Sequence, residues 1–202
     1  MVSANSPDQT ISTAKLVVAG GFGVGKTTLV RSISEIPPVN TEAWMTAASA
    51  PVDPLDPGLD KQQTTVAMDF GRRQLAPDLV LYLFGTPGQA RFWPMWDDLC
   101  RGASGALVLV DTRRLDTSFA AVNYFENDNQ LPFVVAVNLF HGERYHDLTD
   151  VRDALQLAAE VPLLEVDARD PRSVAQALMA VVTHSMRTHT AEPRRRPAPT
   201  PR

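Results

Sequence analysis

The chain has 202 residues, 44% of them hydrophobic and 21% charged, which suits one α/β domain with a sizeable core and excludes disordered, collagenous and fibrous classes. A formal net charge of -4 removes any global electrostatic case for nucleic acid, and Glu192 to Arg202 carries +3 of its own, leaving -7 for the residues before it. The single cysteine, Cys100, excludes an internal disulfide and any cysteine-cluster metal site, and no apolar run approaches a membrane span, so the expectation is a cytoplasmic protein.

Met1 to Thr13 is polar and without period, and residues 189–202 form a Pro- and Arg-rich tail; both are expected to be disordered around a domain at 14–188. Strand-length apolar runs follow at Lys15–Ala19, Val66–Phe70, Leu79–Phe84, Ala106–Val110, Phe133–Val137 and Leu163–Val166. Helical patterns fall at Lys26–Ser34, Trp93–Arg101, Ser118–Glu126, Asp150–Glu160 and Ser173–Arg187. Alternation of strand and helix predicts a three-layer αβα fold on a six-stranded, mostly parallel sheet. The stretch Glu35 to Gln63, with five prolines, interrupts that alternation and reads as a long functional loop.

Gly20-Gly21-Phe22-Gly23-Val24-Gly25-Lys26-Thr27 matches G-x-x-x-x-G-K-[ST] between the first strand and an apolar-periodic helix, the setting of a P-loop. The chemistry explains the pattern. Backbone N–H groups curl around phosphate oxygens, Lys26 reaches the β and γ phosphates, and the Thr27 hydroxyl ligates Mg²⁺. The positive end of the helix, where Thr28 stands, faces the same anion. Downstream, Gly85-Thr86-Pro87-Gly88-Gln89 closes the third apolar run, where the sequence resembles the Ras-like GTPases at their D-x-x-G-Q motif. The resemblance implies that the Gly88 N–H senses the γ-phosphate, that Gln89 orients the attacking water, and that Thr65 is a second Mg²⁺ ligand from the switch before it.

Together with Arg91-Phe92-Trp93-Pro94-Met95-Trp96 and Asp111-Thr112-Arg113-Arg114, these segments resemble the bacterial conservon family of Ras-like GTP-binding proteins over about residues 15–187. That resemblance implies GTP/GDP and Mg²⁺ as cofactors, a sensor histidine kinase and a roadblock-type regulator as partners, and membrane association that is at most peripheral. Gly85 replaces the classical aspartate that holds Mg²⁺ through water, as is usual in that family. In the base loop, Asn138 fits the residue that ties the pocket together and reaches the purine, and the Ala168 N–H is expected at guanine O6. His141 stands where an aspartate normally accepts guanine N1–H and N2–H, so guanine preference should be weakened, with Glu143 or Asp147 as substitute acceptors. The motif pattern places no arginine at the phosphates.

Two other readings compete with a slow GTPase switch. One is a P-loop ATPase or kinase with Asp111, after an apolar strand, as a Walker B aspartate. The other is a nucleotide-binding scaffold with little hydrolysis. Finally, residues 92–96 form the densest aromatic cluster, part of it expected on the sheet and the rest as an exposed effector surface.

Overall fold

The computed structural model describes residues 11–37, 39–44, 65–88 and 90–191. Its strands are β1 (Ser12–Gly20), β2 (Val39–Trp44), β3 (Thr65–Ala76), β4 (Leu79–Gly85), β5 (Gly105–Val110), β6 (Phe133–Asn138) and β7 (Leu163–Val166). They form a sheet ordered β2-β3-β4-β1-β5-β6-β7, in which β4, β1, β5, β6 and β7 are parallel and β2 and β3 are antiparallel to their neighbours.

The six expected strands are all present, and β2 adds a seventh at the antiparallel edge, inside the stretch read as a loop. Its cause lies in β3. That strand runs for 12 residues instead of the five apolar ones expected, and over Thr65–Phe70 its edge facing away from β4 offers free backbone groups that pair Val39 with Phe70 through Trp44 with Thr65.

Strands β5 and β6 are buried at every position and apolar at all but the last of β6, Asn138, as a parallel sheet covered on both faces requires. Their alternate residues feed two cores. Leu16, Val18, Leu107, Leu109, Val134 and Ala136 meet α1 (Lys26–Ile33) and Val174, Ala177, Leu178 and Val181 of α5 (Pro171–Ala191). On the other face Val17, Ala19, Val108, Val110, Val135 and Val137 meet α2 (Trp96–Cys100), α3 (Phe119–Asn123) and α4 (Leu148–Leu155). Helix α4 stops well before Glu160 because Gln156 turns left-handed (φ 53) and Arg152 donates to Ala158 O and Val161 O, fastening the chain beyond the helix. The domain limits expected at 14 and 188 fall within β1 and α5, while residues 1–10 and 192–202 lie outside the described residues.

The chain leaves β1 for the β4 side and crosses back to β5, which makes β1 the topological switch point. Ligands of such sheets bind beyond the carboxyl ends of the strands there.

Candidate functional site

Five loops meet at that edge, after β1, β4, β5, β6 and β7. The first is the phosphate loop, Gly20 to Gly25, which opens α1. Gly25 adopts φ 108, and a Cβ there would lie 2.6 Å from Asn138 Nδ2, so both backbone shape and space demand glycine. Asn138 Nδ2 donates to Val24 O (2.9 Å), which ties the loop after β6 to the loop after β1.

Lys26 is buried and folds back over its own loop, with Nζ donating to Gly20 O (2.8 Å) and Gly21 O (2.7 Å). Burial lowers its pKa to about 8, against the pull of the nearby Asp69 carboxylate, which raises it. A Cβ on Gly88 would lie 2.8 Å from Lys26 Nζ and 2.8 Å from Phe22 N, so the loop after β4 touches the phosphate loop at the lysine.

Asp69 is the residue that motif reading missed. Its strand β3 runs antiparallel to β4 with Asp69 opposite Gly85, and Thr27 Oγ1 donates to Asp69 Oδ2 at 2.5 Å. A Cβ on Gly85 would sit 3.0 Å from Asp69 Cβ and 3.2 Å from Oδ2. The carboxylate absent from position 85 is thus supplied beside it by the neighbouring strand. Only the register of β3 against β4 reveals this, and register is not readable from a motif.

These groups fit Mg²⁺: a threonine hydroxyl and a carboxylate are hard oxygen donors, two protein groups beside a phosphate site are the usual complement, and the two already converge within hydrogen-bonding distance. Thr65 opens β3, four residues before Asp69 on the same strand. Gln89 lies outside the described residues. Among the described residues no group of three or more His, Cys, Asp or Glu is disposed to hold a metal.

Asp111 does not serve the phosphate loop as a Walker B residue. It is buried and gripped by Arg113, whose Nε and Nη2 donate to its two oxygens at 2.9 and 2.8 Å, and it accepts the Arg113 N–H as well. These hydrogen bonds hold its carboxyl below the usual range. The carboxylate partner of Thr27 is Asp69 instead.

The base cleft, about 160 Å³, is lined by Gly25, Thr28, Asn138, Leu139, Phe140, His141, Asp167, Ala168 and Arg169. Two expectations change here. The Ala168 N–H donates to Asn138 Oδ1 (3.1 Å), so it is already engaged. Glu143 accepts from the Tyr145 hydroxyl and Asp147 faces Arg144, and neither lines the cleft; its carboxylate is Asp167, which accepts from the Arg169 N–H and guanidinium. His141 holds a left-handed backbone (φ 62) at the rim, with Nδ1 3.3 Å from Arg169 Nη1. A larger concavity of about 800 Å³ lies elsewhere, among Phe125, Phe133, Glu160, His184 and other residues, and no glycine-rich loop borders it.

Of the aromatic cluster, Phe92 and Trp96 are buried while Trp93 is 42% exposed. Trp96 Nε1 donates to Pro87 O (3.3 Å), coupling the loop after β4 to the core.

With this geometry in view, comparison with known proteins finds a match over residues 18–188 to the family described as conserved hypothetical ATP binding proteins. The chain is also 28% identical over 187 residues to the Ras-related protein RABD2b of Arabidopsis thaliana, covering 88% of this chain and 82% of that one. In fold it is similar to the G domain of the T. maritima FeoB iron transporter (TM-score 0.61, 15% identity, 86% of this chain and 99% of that chain). The cytosolic domain of the same transporter matches with the same score and identity, and this chain spans 64% of it.

Proposed function

The chain belongs to the family of conserved hypothetical ATP binding proteins, and from that premise we propose that it is a Ras-like nucleotide switch that binds GTP and GDP with Mg²⁺ and hydrolyses GTP slowly. The observation that supports this most is the convergence of Lys26, Thr27, Asp69 and Gly88 on one glycine-rich loop at the switch point of the sheet. Lys26 exchanges two carbonyl oxygens for β and γ phosphate oxygens, and the loop N–H groups and the start of α1 hold the rest of the chain of phosphates. Thr27, Asp69 and Thr65 are the residues to hold Mg²⁺, which when bound neutralises phosphate charge. Gln89 orients water, and the Gly88 N–H reports the γ-phosphate. In the wider setting the protein acts in a conservon-type assembly with a sensor histidine kinase and a roadblock-type regulator, in the cytoplasm and at most peripheral to a membrane.

The base is a separate question, and a specific observation supports a second reading in which guanine is poorly selected over adenine. An arginine can only donate, so its contact makes His141 Nδ1 the acceptor and leaves the proton on Nε2. That N–H matches the N1 acceptor of adenine and opposes the N1–H of guanine. The Ala168 N–H, spent on Asn138, is likewise not free for O6.

Affinity for GTP, ATP and XTP with and without Mg²⁺, together with phosphate release, tests the proposal. Lys26→Ala should abolish triphosphate binding without unfolding the chain, and Gln89→Leu should slow release further. Unchanged affinity in folded Lys26→Ala protein overturns the nucleotide reading; binding without any phosphate release leaves a scaffold in place of the slow hydrolase.

A further inference from the structure

The turn after β5 touches the phosphate loop but has no part in the function proposed above. Residues Thr112–Ser118 form this turn, and it packs on the outer wall of the loop: a Cβ on Gly21 would lie 2.7 Å from Thr117 Oγ1, and one on Gly23 would lie 3.1 Å from Arg114 Nη2. Arg114 Nη2 donates to the carbonyl of Phe22 at 2.9 Å. A Cβ on Gly88 would lie 2.8 Å from the Cα and N of Phe22 and 2.8 Å from Lys26 Nζ. A guanidinium and the groups that would meet a γ-phosphate therefore touch the same loop residue.

The two adjacent arginines are sorted by the fold. Arg113 is locked bidentately on Asp111 and lies 3.7 Å over the Phe140 ring, whereas Arg114 has no carboxylate partner among the described residues. Its backbone is fixed, because Thr117 Oγ1 donates to Arg114 O (2.9 Å) and the Arg114 N–H donates to Asp111 O (3.0 Å). A positive side chain with most of its five donors uncommitted rests on a neutral carbonyl, on a backbone that does not have to move.

We propose that Arg114 is a catalytic residue, an arginine finger supplied by the chain itself, which leaves the Phe22 carbonyl for the phosphates during hydrolysis. This rests on the nucleotide-switch reading. In the reaction the oxygen of water bonds to the γ-phosphorus, the bond from phosphorus to the β–γ bridging oxygen breaks with its electron pair retained by the diphosphate, and the proton of water departs on inorganic phosphate. Charge grows on the bridging oxygen as that bond breaks, and the Arg114 guanidinium neutralises it. Phe22 explains why the finger is internal. Phe22 is 65% exposed, so a partner's arginine would have to pass a bulky side chain to reach the loop, while Arg114 already touches its carbonyl.

The test compares single-turnover hydrolysis in the full chain, Arg114→Ala and Arg114→Lys, using whichever of GTP and ATP the wild type cleaves, with fluorescent GDP and ADP affinities measured alongside. The expected result is a loss of at least ~100-fold in rate for Arg114→Ala, a threshold set below the ~10³- to 10⁵-fold that such arginines contribute, while diphosphate affinity stays within ~3-fold. Lysine should restore little, since it lacks the planar fork, and added guanidinium ion should rescue the alanine variant in part. Capture of the diphosphate with aluminium fluoride should be lost with the rate. An unchanged rate, a parallel fall in diphosphate affinity, or a wild type that binds nucleotide without cleaving it would overturn the role and leave Arg114 a clamp on the loop. A wild type that binds no nucleotide fails earlier, at the affinity measurement, and takes the nucleotide reading and this inference with it.

Discussion

Lys26 carries a proton that its surroundings hold loosely. Burial has brought its pKa from 10.5 to about 8. Between those values the unfolded chain binds more protons than the folded one, so through this group the stability of the ligand-free protein rises as pH goes from about 8 to 10.5. A triphosphate reverses the balance because it needs the ammonium. Affinity should be level below about pH 8 and fall above it, with proton uptake on binding at alkaline pH, which titration calorimetry in buffers of different ionisation enthalpy would register. Asp69 offers a second measurement. Asp69→Asn should weaken the Mg²⁺-dependent part of triphosphate affinity by ~10- to 100-fold, the equivalent of one charge-assisted hydrogen bond. Gly85→Asp alone should destabilise, since its Cβ would lie 3.0 Å from Asp69 Cβ, whereas Gly85→Asp combined with Asp69→Gly should recover Mg²⁺ dependence by moving the carboxylate back across the strands. At the base, His141→Asp should raise the preference for GTP over ATP by roughly 10- to 100-fold in a competition assay. If wild type already selects GTP by more than ~1,000-fold, Asp167 is the acceptor instead.

At the scale of elements, the six strands were legible because parallel strands buried on both faces are continuous apolar runs of strand length. Strand β2 was not, because what stabilises it is the free edge of β3, a property of a different segment. The phosphate loop was legible since all its chemistry lies within eight residues, and Asn138 and Ala168 followed from strands that end beside it. Asp69 and Arg114 were hidden for a shared reason: each acts across a contact between segments far apart in sequence, Asp69 by register with Gly85 and Arg114 by the fold of a turn onto Phe22. The elements that respond to nucleotide should be β3 and the loop after β4, joined by Thr27 to Asp69 at one end and Pro87 to Trp96 at the other. Hydrogen exchange should therefore slow in residues 65–70 and 86–96 when a non-hydrolysable triphosphate replaces the diphosphate. Identical exchange in both states would exclude a γ-phosphate-driven switch.

The molecule as a whole divides its apolar interior between two faces of one sheet, and each face holds a different part of the site. The core with α1 and α5 lies on one face; Trp96 and α2, downstream of the loop after β4, belong to the other. Leu178→Ala, at a fully buried position of α5, should cost about 2–5 kcal/mol in denaturant unfolding. Because α5 carries no residue of the phosphate loop, nucleotide affinity of the folded fraction should be unchanged. A matching loss of affinity would mean that repacking of this core, which also holds Val24 of the phosphate loop and Leu29 of α1, reaches the site. Among the described residues no helix is long and apolar enough to cross a membrane.

The indole pair beside the loop after β4 has an optical consequence. Trp93 is partly in water, its ring centre 6.2 Å from that of Trp96, and Trp96 is tethered to Pro87, next to the residue proposed to sense the γ-phosphate. Of the three tryptophans in the chain, these two therefore form a native fluorophore beside the residue proposed to sense the γ-phosphate, while Trp44 belongs to the edge strand. In a Trp44→Phe background, quenching and emission maximum would follow exchange and hydrolysis in real time, so the protein brings its own label to the kinetic experiments.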